Sequence, residues 1–121
     1  MALVPRTVRR QSANLEPPLT PAVFHILLAL ADGPLHGYAI MQAVELTGGP
    51  GLPTGPGTIY GSLLRMEEAG LVEERAAPTG ERRRIFALQP AGRRALEAEA
   101  RRITHLAGLV RAKRLITGDG W

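Results

Sequence analysis

Apolar residues recur at the spacing of an α-helix in three segments in the first part of the chain, and glycine or proline closes each segment. The first predicted helix runs from Pro21 to Ala31, with Thr20 as its N-cap and a proline in the first position. The second opens at His36-Gly37 and stops at the run Thr47 to Pro50. The third occupies the segment Pro56 to Gly70, whose terminal glycine is typical of the C′ position.

The pattern changes from helical spacing to alternation after the third helix. Two short runs, Leu71 to Ala76 and Arg83 to Leu88, flank Pro78-Thr79-Gly80 and predict a hairpin of two paired strands. Pro90 then opens a final helix to about Leu115, roughly 26 residues and on the order of 39 Å long. This order of elements predicts a mainly α fold with a small β-hairpin: a winged helix-turn-helix plus a long C-terminal dimerisation helix.

The same punctuation divides the chain into four parts. We expect a flexible basic N-terminal arm at residues 1–18, a winged helix-turn-helix domain at 19–89, a C-terminal dimerisation helix at 90–116 and a tail at 117–121. A short extra helix is the alternative for the arm. Trp121, at the end of the tail, receives no role.

The third helix is predicted to have an inward and an outward face. Its inward face carries Ile59, Leu63 and Met66 at helical spacing. Its outward stripe is predicted to consist of Thr58, Gly61, Ser62 and Arg65. Small residues allow a helix backbone to approach the floor of a DNA groove, and an arginine can reach a guanine or a phosphate. The alternative is that Thr58 only caps the helix and Arg65 only pairs with a nearby acid.

Three further side chains near the helix starts are candidate DNA contacts. His36 begins the second helix, where free backbone N–H groups attract phosphate and the imidazole can add a donor; local capping is the alternative. Tyr38 follows in the same turn. Tyr60 lies between the two faces of the third helix, so its hydroxyl can donate to a phosphate, although core packing explains it equally well.

The predicted hairpin carries three successive arginines just beyond its tip, Arg82, Arg83 and Arg84. Adjacent strand residues point to opposite faces, so Arg82 and Arg84 share one side. We expect at least one side to meet DNA phosphate, the alternative being a solvated run of charge.

The final helix carries an apolar stripe along its length. The stripe comprises Leu96, Ala100, Ile103, Leu106, Ala107 and Val110. A helix longer than its domain requires is best buried against a second copy of itself, which predicts a homodimer. Two recognition helices about one turn of DNA apart then fit an inverted repeat. The alternative is packing onto the first helix alone.

Composition narrows the function classes. The 121 residues include no cysteine and only three histidines, which are scattered, so we expect no metal or other cofactor. No nucleophile elbow, phosphate loop or paired carboxylates stand in a plausible context, so we expect no enzyme. The net charge of +4 suits a polyanion partner without requiring one. The absence of a signal-like segment or a long apolar run predicts a cytoplasmic protein without membrane contact.

Several short motifs in the same order resemble the PadR family of transcriptional regulators. They are Leu19-Thr20-Pro21, Leu35-His36-Gly37-Tyr38, Gly57-Thr58-Ile59-Tyr60, Leu63 to Glu67, Gly70-Leu71-Val72 and Pro90-Ala91-Gly92-Arg93. The resemblance spans residues 19–115 and is closest to the short subgroup with a single C-terminal helix. It departs from the family pattern at Gly61, where proline is common, at Ala87, where arginine is common, and at Gln89, where threonine usually caps the last helix.

The resemblance implies a homodimeric repressor of stress, detoxification or efflux genes that binds double-stranded DNA and responds to a small aromatic or drug-like effector. Together with the predicted helices and wing, it makes a sequence-specific DNA-binding regulator our first hypothesis. A winged-helix adaptor that binds protein is the alternative, because the recognition stripe is only weakly basic.

Overall fold

A computed structural model describes residues 15–49, 51–52, 54–78 and 84–116. Its elements, in chain order, are α1 (Pro21–Ala29), β1 (Leu35–His36), α2 (Gly37–Gly48), α3 (Pro56–Glu68), β2 (Val72–Ala76), β3 (Arg84–Leu88) and α4 (Pro90–Ala112). The strands form an antiparallel sheet in the order β1-β3-β2. The predicted mainly α fold with a small β-hairpin is confirmed.

Strand β1 is the element that the sequence pattern did not predict. It has two residues, and its register pairs Leu35 with Phe86 and His36 with Ile85. Two residues are too few to show alternation, so only the pairing with β3 makes this segment a strand. The predicted boundaries of the other elements hold to within about three residues. Helix α1, for example, ends at Ala29 rather than Ala31.

The end of α3 has the geometry that the sequence predicted for Gly70. This glycine lies at C′ with a φ of 79°, a backbone conformation that favours glycine. The Leu71 N–H donates to the Met66 carbonyl at 2.9 Å, and the Gly70 N–H donates to the Glu67 carbonyl at 3.0 Å. These two bonds define a Schellman motif, which turns the chain directly from α3 into β2.

The core gathers apolar side chains from every helix. Its fully buried centre includes Ile26 and Leu27 of α1, Ile40 of α2 and Met66 of α3. Leu15, within the predicted arm, is also buried in this core. Residues that precede α1 therefore contribute to the core together with the helices.

One carboxylate is buried at the junction between α4 and the segment before α1. Glu99 is 1% exposed, and its Oε2 accepts a hydrogen bond of 2.7 Å from the Leu19 backbone N–H. Arg102 donates from Nε to Oε1 at 2.5 Å and from Nη2 to Oε2 at 3.1 Å. The buried charge is thus paired and hydrogen-bonded, as a charge removed from water must be.

These partners also set the ionisation of Glu99. The hydrogen bonds from Arg102 lower the pKa of the carboxyl below its ordinary value of 4.5, burial opposes them, and the Leu19 N–H lowers the pKa further. The ionised form is therefore favoured in the folded chain more than in the unfolded chain.

Helices α2 and α3 meet at a close approach between Gly37 and Tyr60. Gly37 is the first residue of α2, and a Cβ built there would overlap the Tyr60 hydroxyl and the end of its ring. The glycine therefore leaves the space into which the tyrosine of α3 packs, and the ring position of Tyr60 depends on it.

We expect Glu99→Gln to remove part of the acid sensitivity of folding. Because the folded pKa of Glu99 is depressed, its contribution to stability is present above the unfolded pKa and is lost as the pH falls through the folded value. Urea unfolding from pH 7 to pH 3 should show a shallower decline for this variant than for the wild type. Glu97→Gln, at an exposed site on the same helix, is the control. Equal slopes for Glu99→Gln and wild type would contradict the assignment.

We expect Gly37→Ala to push the Tyr60 side chain aside and to lower the free energy of unfolding by about 0.5 to 1 kcal/mol, because the new methyl group overlaps the end of that partly exposed side chain. In a Tyr60→Ala background the same substitution should cost much less, since the overlap is gone. Urea denaturation of the two single variants and the double variant measures this coupling. Gly108→Ala, where a Cβ meets no atom within 4 Å, is the matched control. Additive penalties would show that the two residues do not act on each other.

Candidate nucleic-acid interface

Four of the side chains predicted to contact DNA line one open cavity. The cavity has a volume of about 280 Å³ and lies where α2, α3 and the two-stranded wing (β2 and β3) meet. Its lining residues are His36, Gly37, Tyr38, Tyr60, Glu74, Arg84 and Phe86. The pairing of β1 with β3 brings the start of α2 beside the wing, so residues nearly fifty positions apart in sequence face the same space.

His36 both caps α2 and leaves one donor free within this cavity. Its Nδ1 accepts a hydrogen bond of 3.3 Å from the Ala39 backbone N–H, so the alternative of local capping is correct. A ring nitrogen that accepts a hydrogen bond carries no proton, which leaves the proton of the neutral ring on Nε2. Capping therefore orients the imidazole and makes Nε2 an N–H donor.

Two partly exposed tyrosines also line the cavity. Tyr38 is 57% exposed and Tyr60 is 47% exposed, so neither belongs to the buried core. Packing, the alternative considered for Tyr60, accounts for the end of its side chain, because the hydroxyl lies against Gly37. A phenol hydroxyl at the edge of the cavity can donate a hydrogen bond to an anion that enters it.

The wing contributes Arg84 together with an acid that sequence reasoning missed. The Nε of Arg84 donates to the Glu74 Oε1 at 2.8 Å, and both side chains are partly exposed. The β2–β3 register pairs Glu74 with Phe86 and Ala76 with Arg84, so Glu74 and Arg84 are diagonal neighbours. An exposed pair of this kind adds little net stability, which leaves Arg84 able to exchange partners. Arg82 and Arg83 lie outside the described residues.

The wing is also tied to α3. Glu67 Oε2 accepts a hydrogen bond of 3.0 Å from the Glu74 backbone N–H. This contact and the Schellman turn before it connect the last turn of α3 to β2 within a few residues. The position of Arg84 relative to α3 therefore depends on this turn, on the pairing of β2 with β3 and on the Glu67 side chain.

Ser62 does not lie on the outward stripe of α3, and that prediction was wrong. It is 2% exposed, and its Oγ accepts a hydrogen bond of 3.3 Å from Arg65 Nη2. Ser62 follows Ile59 by three residues and precedes Met66 by four, a spacing that places it on the buried face. The helical spacing therefore indicates burial, but the polar hydroxyl of serine favoured its assignment to the outward stripe.

Thr58 and Arg65 remain on the exposed surface, and both alternatives considered for them were wrong. The N-cap of α3 is Gly55, with no side-chain cap bond, so Thr58 does not cap the helix. The hydrogen bond that Arg65 makes goes to the Ser62 hydroxyl and not to a carboxylate. That bond fixes the stem of Arg65 while most of its donors stay available.

Helix α4 divides its predicted dimer stripe between two environments. Leu96 is 7% exposed and belongs to the core of its own chain, so its assignment to a dimer interface was wrong. Over the following turns Ala100, Ile103 and Leu106 are exposed, whereas Ala107 and Val110 are half-buried. Packing onto the domain therefore accounts for the start of α4 and leaves Ala100, Ile103 and Leu106 exposed.

Within the described parts of the chain, no three His, Cys, Asp or Glu side chains come together in a group able to hold a metal ion. In the same parts, none of the helices is both long and apolar enough to cross a membrane.

Comparison with known protein sequences identifies relatives over most of this region. A sequence model described as the transcriptional regulator PadR-like family matches residues 26–98, more than half of the chain. The chain is 51% identical over 85 residues to an uncharacterized 37.1 kDa protein in transposon TN4556 of Streptomyces fradiae, a match that covers 70% of this chain but only 24% of that protein. It is 38% identical over 84 residues to the transcriptional regulator Rv3488 of Mycobacterium tuberculosis, covering 69% of this chain and 76% of that one.

Solved structures share the fold at lower identity. A PadR family transcription regulator from Clostridium difficile superimposes with a TM-score of 0.66 at 21% identity, covering 77% of this chain and 97% of that one. Bacillus subtilis PadR, solved in complex with operator DNA, superimposes with a TM-score of 0.55 at 23% identity, covering 63% of this chain and 44% of that one. On the sequence match and the shared winged-helix fold, the chain belongs to the PadR-like family of transcriptional regulators.

Proposed function

We propose that this protein is a homodimeric transcriptional repressor that binds double-stranded DNA through α3 and the wing. The observation that carries the proposal is the cavity in which His36, Tyr38, Tyr60 and Arg84 meet. Its donors come from four different elements, and all are neutral or positively charged groups suited to phosphate oxygens. The operator complex of Bacillus subtilis PadR, which has the same fold, supports DNA as the partner.

The start of α2 adds a further attraction for negative charge. The Ala39 N–H is taken by the His36 ring, but the helix dipole at this end favours an anion. A phosphate placed here meets the His36 Nε2–H and the tyrosine hydroxyls, and it can draw Arg84 away from Glu74. We infer that this cluster binds the DNA backbone and thereby fixes the position of α3 along the groove.

Base reading then belongs to the exposed surface of α3. Arg65 is exposed, and Thr58 lies about two helical turns before it on the same flank. An arginine close to a phosphate contact can donate two hydrogen bonds to one guanine, which is the commonest specific contact in the major groove. Ser62 has no share in this role, because it is buried.

The uncovered part of α4 supports a homodimer. Ile103, Leu106 and Leu109 are exposed large apolar residues on the same helix, and Leu115 and Ile116 follow its end. Such a surface is costly in water and is commonly buried against a symmetry-related copy. A two-fold dimer places two copies of α3 on one face, which fits an inverted repeat. The repressor role and a small aromatic or drug-like effector are proposed on the family resemblance.

We expect duplex DNA selected from a random pool to contain an inverted repeat. Single variants should then separate contacts to DNA phosphate from contacts to base edges. Arg84→Ala should weaken binding to all DNA sequences alike. It should also reduce the slope of log K against log[salt] by about one, because one phosphate contact is lost. Arg65→Ala should relax preference at one base pair. Arg101→Ala, which removes an exposed charge from α4, is the matched control and should leave the motif unchanged. Mobility-shift titrations at several salt concentrations measure both quantities.

Two results would count against this proposal. If the selected pool contains no enriched motif, sequence-specific binding is excluded and the protein-binding adaptor gains support. If a motif is enriched but neither Arg84→Ala nor Arg65→Ala alters its binding, the assignment of these residues is wrong.

We expect the protein to sediment as a dimer and the double variant Ile103→Asp with Leu106→Asp to sediment as a folded monomer. Both side chains are substantially exposed in the single chain, so their replacement should spare the fold and place charge in the interface. Leu46→Asp, at a highly exposed site on α2, is the control and should remain dimeric. Analytical ultracentrifugation with circular dichroism provides the readout. A monomeric wild type would refute the dimer.

A further inference from the structure

Leu64 is an apolar residue that the contacts of its own chain leave unexplained. It is 59% exposed, whereas Leu63 and Met66, which lie close to it in sequence, are buried. It therefore lies on the exposed side of α3, about 100° around the helix from its neighbour Arg65.

The geometry of a helix explains why Leu64 projects. Helical side chains lean toward the N-terminus, so Leu64 lies over the turn that contains Gly61. Among the described residues, only the Arg65 Nη1 comes within 4 Å of a Cβ built at residue 61, so Leu64 itself does not fill this space. The leucine, the ninth of the thirteen residues of α3, consequently projects from the exposed side of a helix that is proposed to lie in the major groove.

The chemistry of the side chain restricts what it can recognise in DNA. Leucine neither donates nor accepts a hydrogen bond, so it gains nothing from a phosphate or from the polar edges of guanine, cytosine and adenine. The single apolar group that bases display in the major groove is the C5-methyl group of thymine. Contact between the two removes apolar surface from water on both sides.

We propose that Leu64 is a specificity-determining residue that reads a thymine methyl group in the major groove. The inference rests on the proposed function, because it requires α3 to lie in the groove. It adds an apolar contact to a surface otherwise composed of hydrogen-bonding groups. A lone exposed leucine on a protein surface is ordinary, so the test must detect the methyl group itself.

Replacing thymine by deoxyuridine removes only that methyl group and leaves base pairing intact. The probe is the duplex selected from the random pool, resynthesised with each thymine in turn replaced by deoxyuridine. For the wild type, the replacement should weaken binding about fourfold at one position in each half-site, the effect expected for burial of one methyl group. For Leu64→Ala, the same replacement should cost less than about twofold. Leu46→Ala, which also truncates an exposed leucine, should keep the wild-type pattern.

The outcomes separate this inference from the proposed function. If the pool yields a motif and no deoxyuridine replacement weakens wild-type binding, the role of Leu64 is refuted while DNA binding stands. If a replacement weakens wild type and Leu64→Ala equally, another residue reads the methyl group and the inference fails. If the pool yields no motif, both proposals fall. Thermal unfolding of Leu64→Ala should match that of the wild type, since the side chain has few contacts to lose.

Discussion

The buried carboxylate of Glu99 is the interaction on which the arrangement of this protein depends. It accepts hydrogen bonds from the Leu19 backbone and from Arg102, so it joins α4 to the segment that leads into α1. A buried charge that lost one of these partners would carry a large desolvation cost, and this makes the junction intolerant of other geometries. Because α4 is the element that leaves the domain, the Glu99 junction also fixes the direction in which it leaves.

That direction matters because the two halves of α4 differ in burial. Leu96 packs in the core of its own chain, whereas Ile103 and Leu106, about two and three turns later, are exposed. A rigid helix anchored at one end carries its free end at a defined angle to the domain. In the proposed dimer this angle determines how far apart the two copies of α3 stand, and therefore which half-site spacing they fit.

The candidate DNA surface depends on a different set of short-range constraints. The two-residue strand β1 pairs with β3, and the Glu67 contact holds β2 against the end of α3. Tyr60 of α3 packs against the glycine that begins α2. Each contact is small, but together they place donors from four elements around one cavity without burying them. Paired strands and hydrogen bonds hold the backbone of this surface, whereas the partly exposed pair of Arg84 and Glu74 can exchange partners.

Patterns within one or two helical turns were enough to predict several features of the fold. Thr20 with its following proline, Gly70 at C′ and the spacing of Ile59, Leu63 and Met66 each act within one or two helical turns, and the structure places all of them as their pattern indicates. Long-range packing accounts for the rest. It made β1 a strand, buried Glu99, placed Leu96 in the core and set Glu74 beside Arg84. These outcomes depend on which residue distant in sequence supplies a partner or covers a face. Neither the helical period nor the residue type specifies that residue.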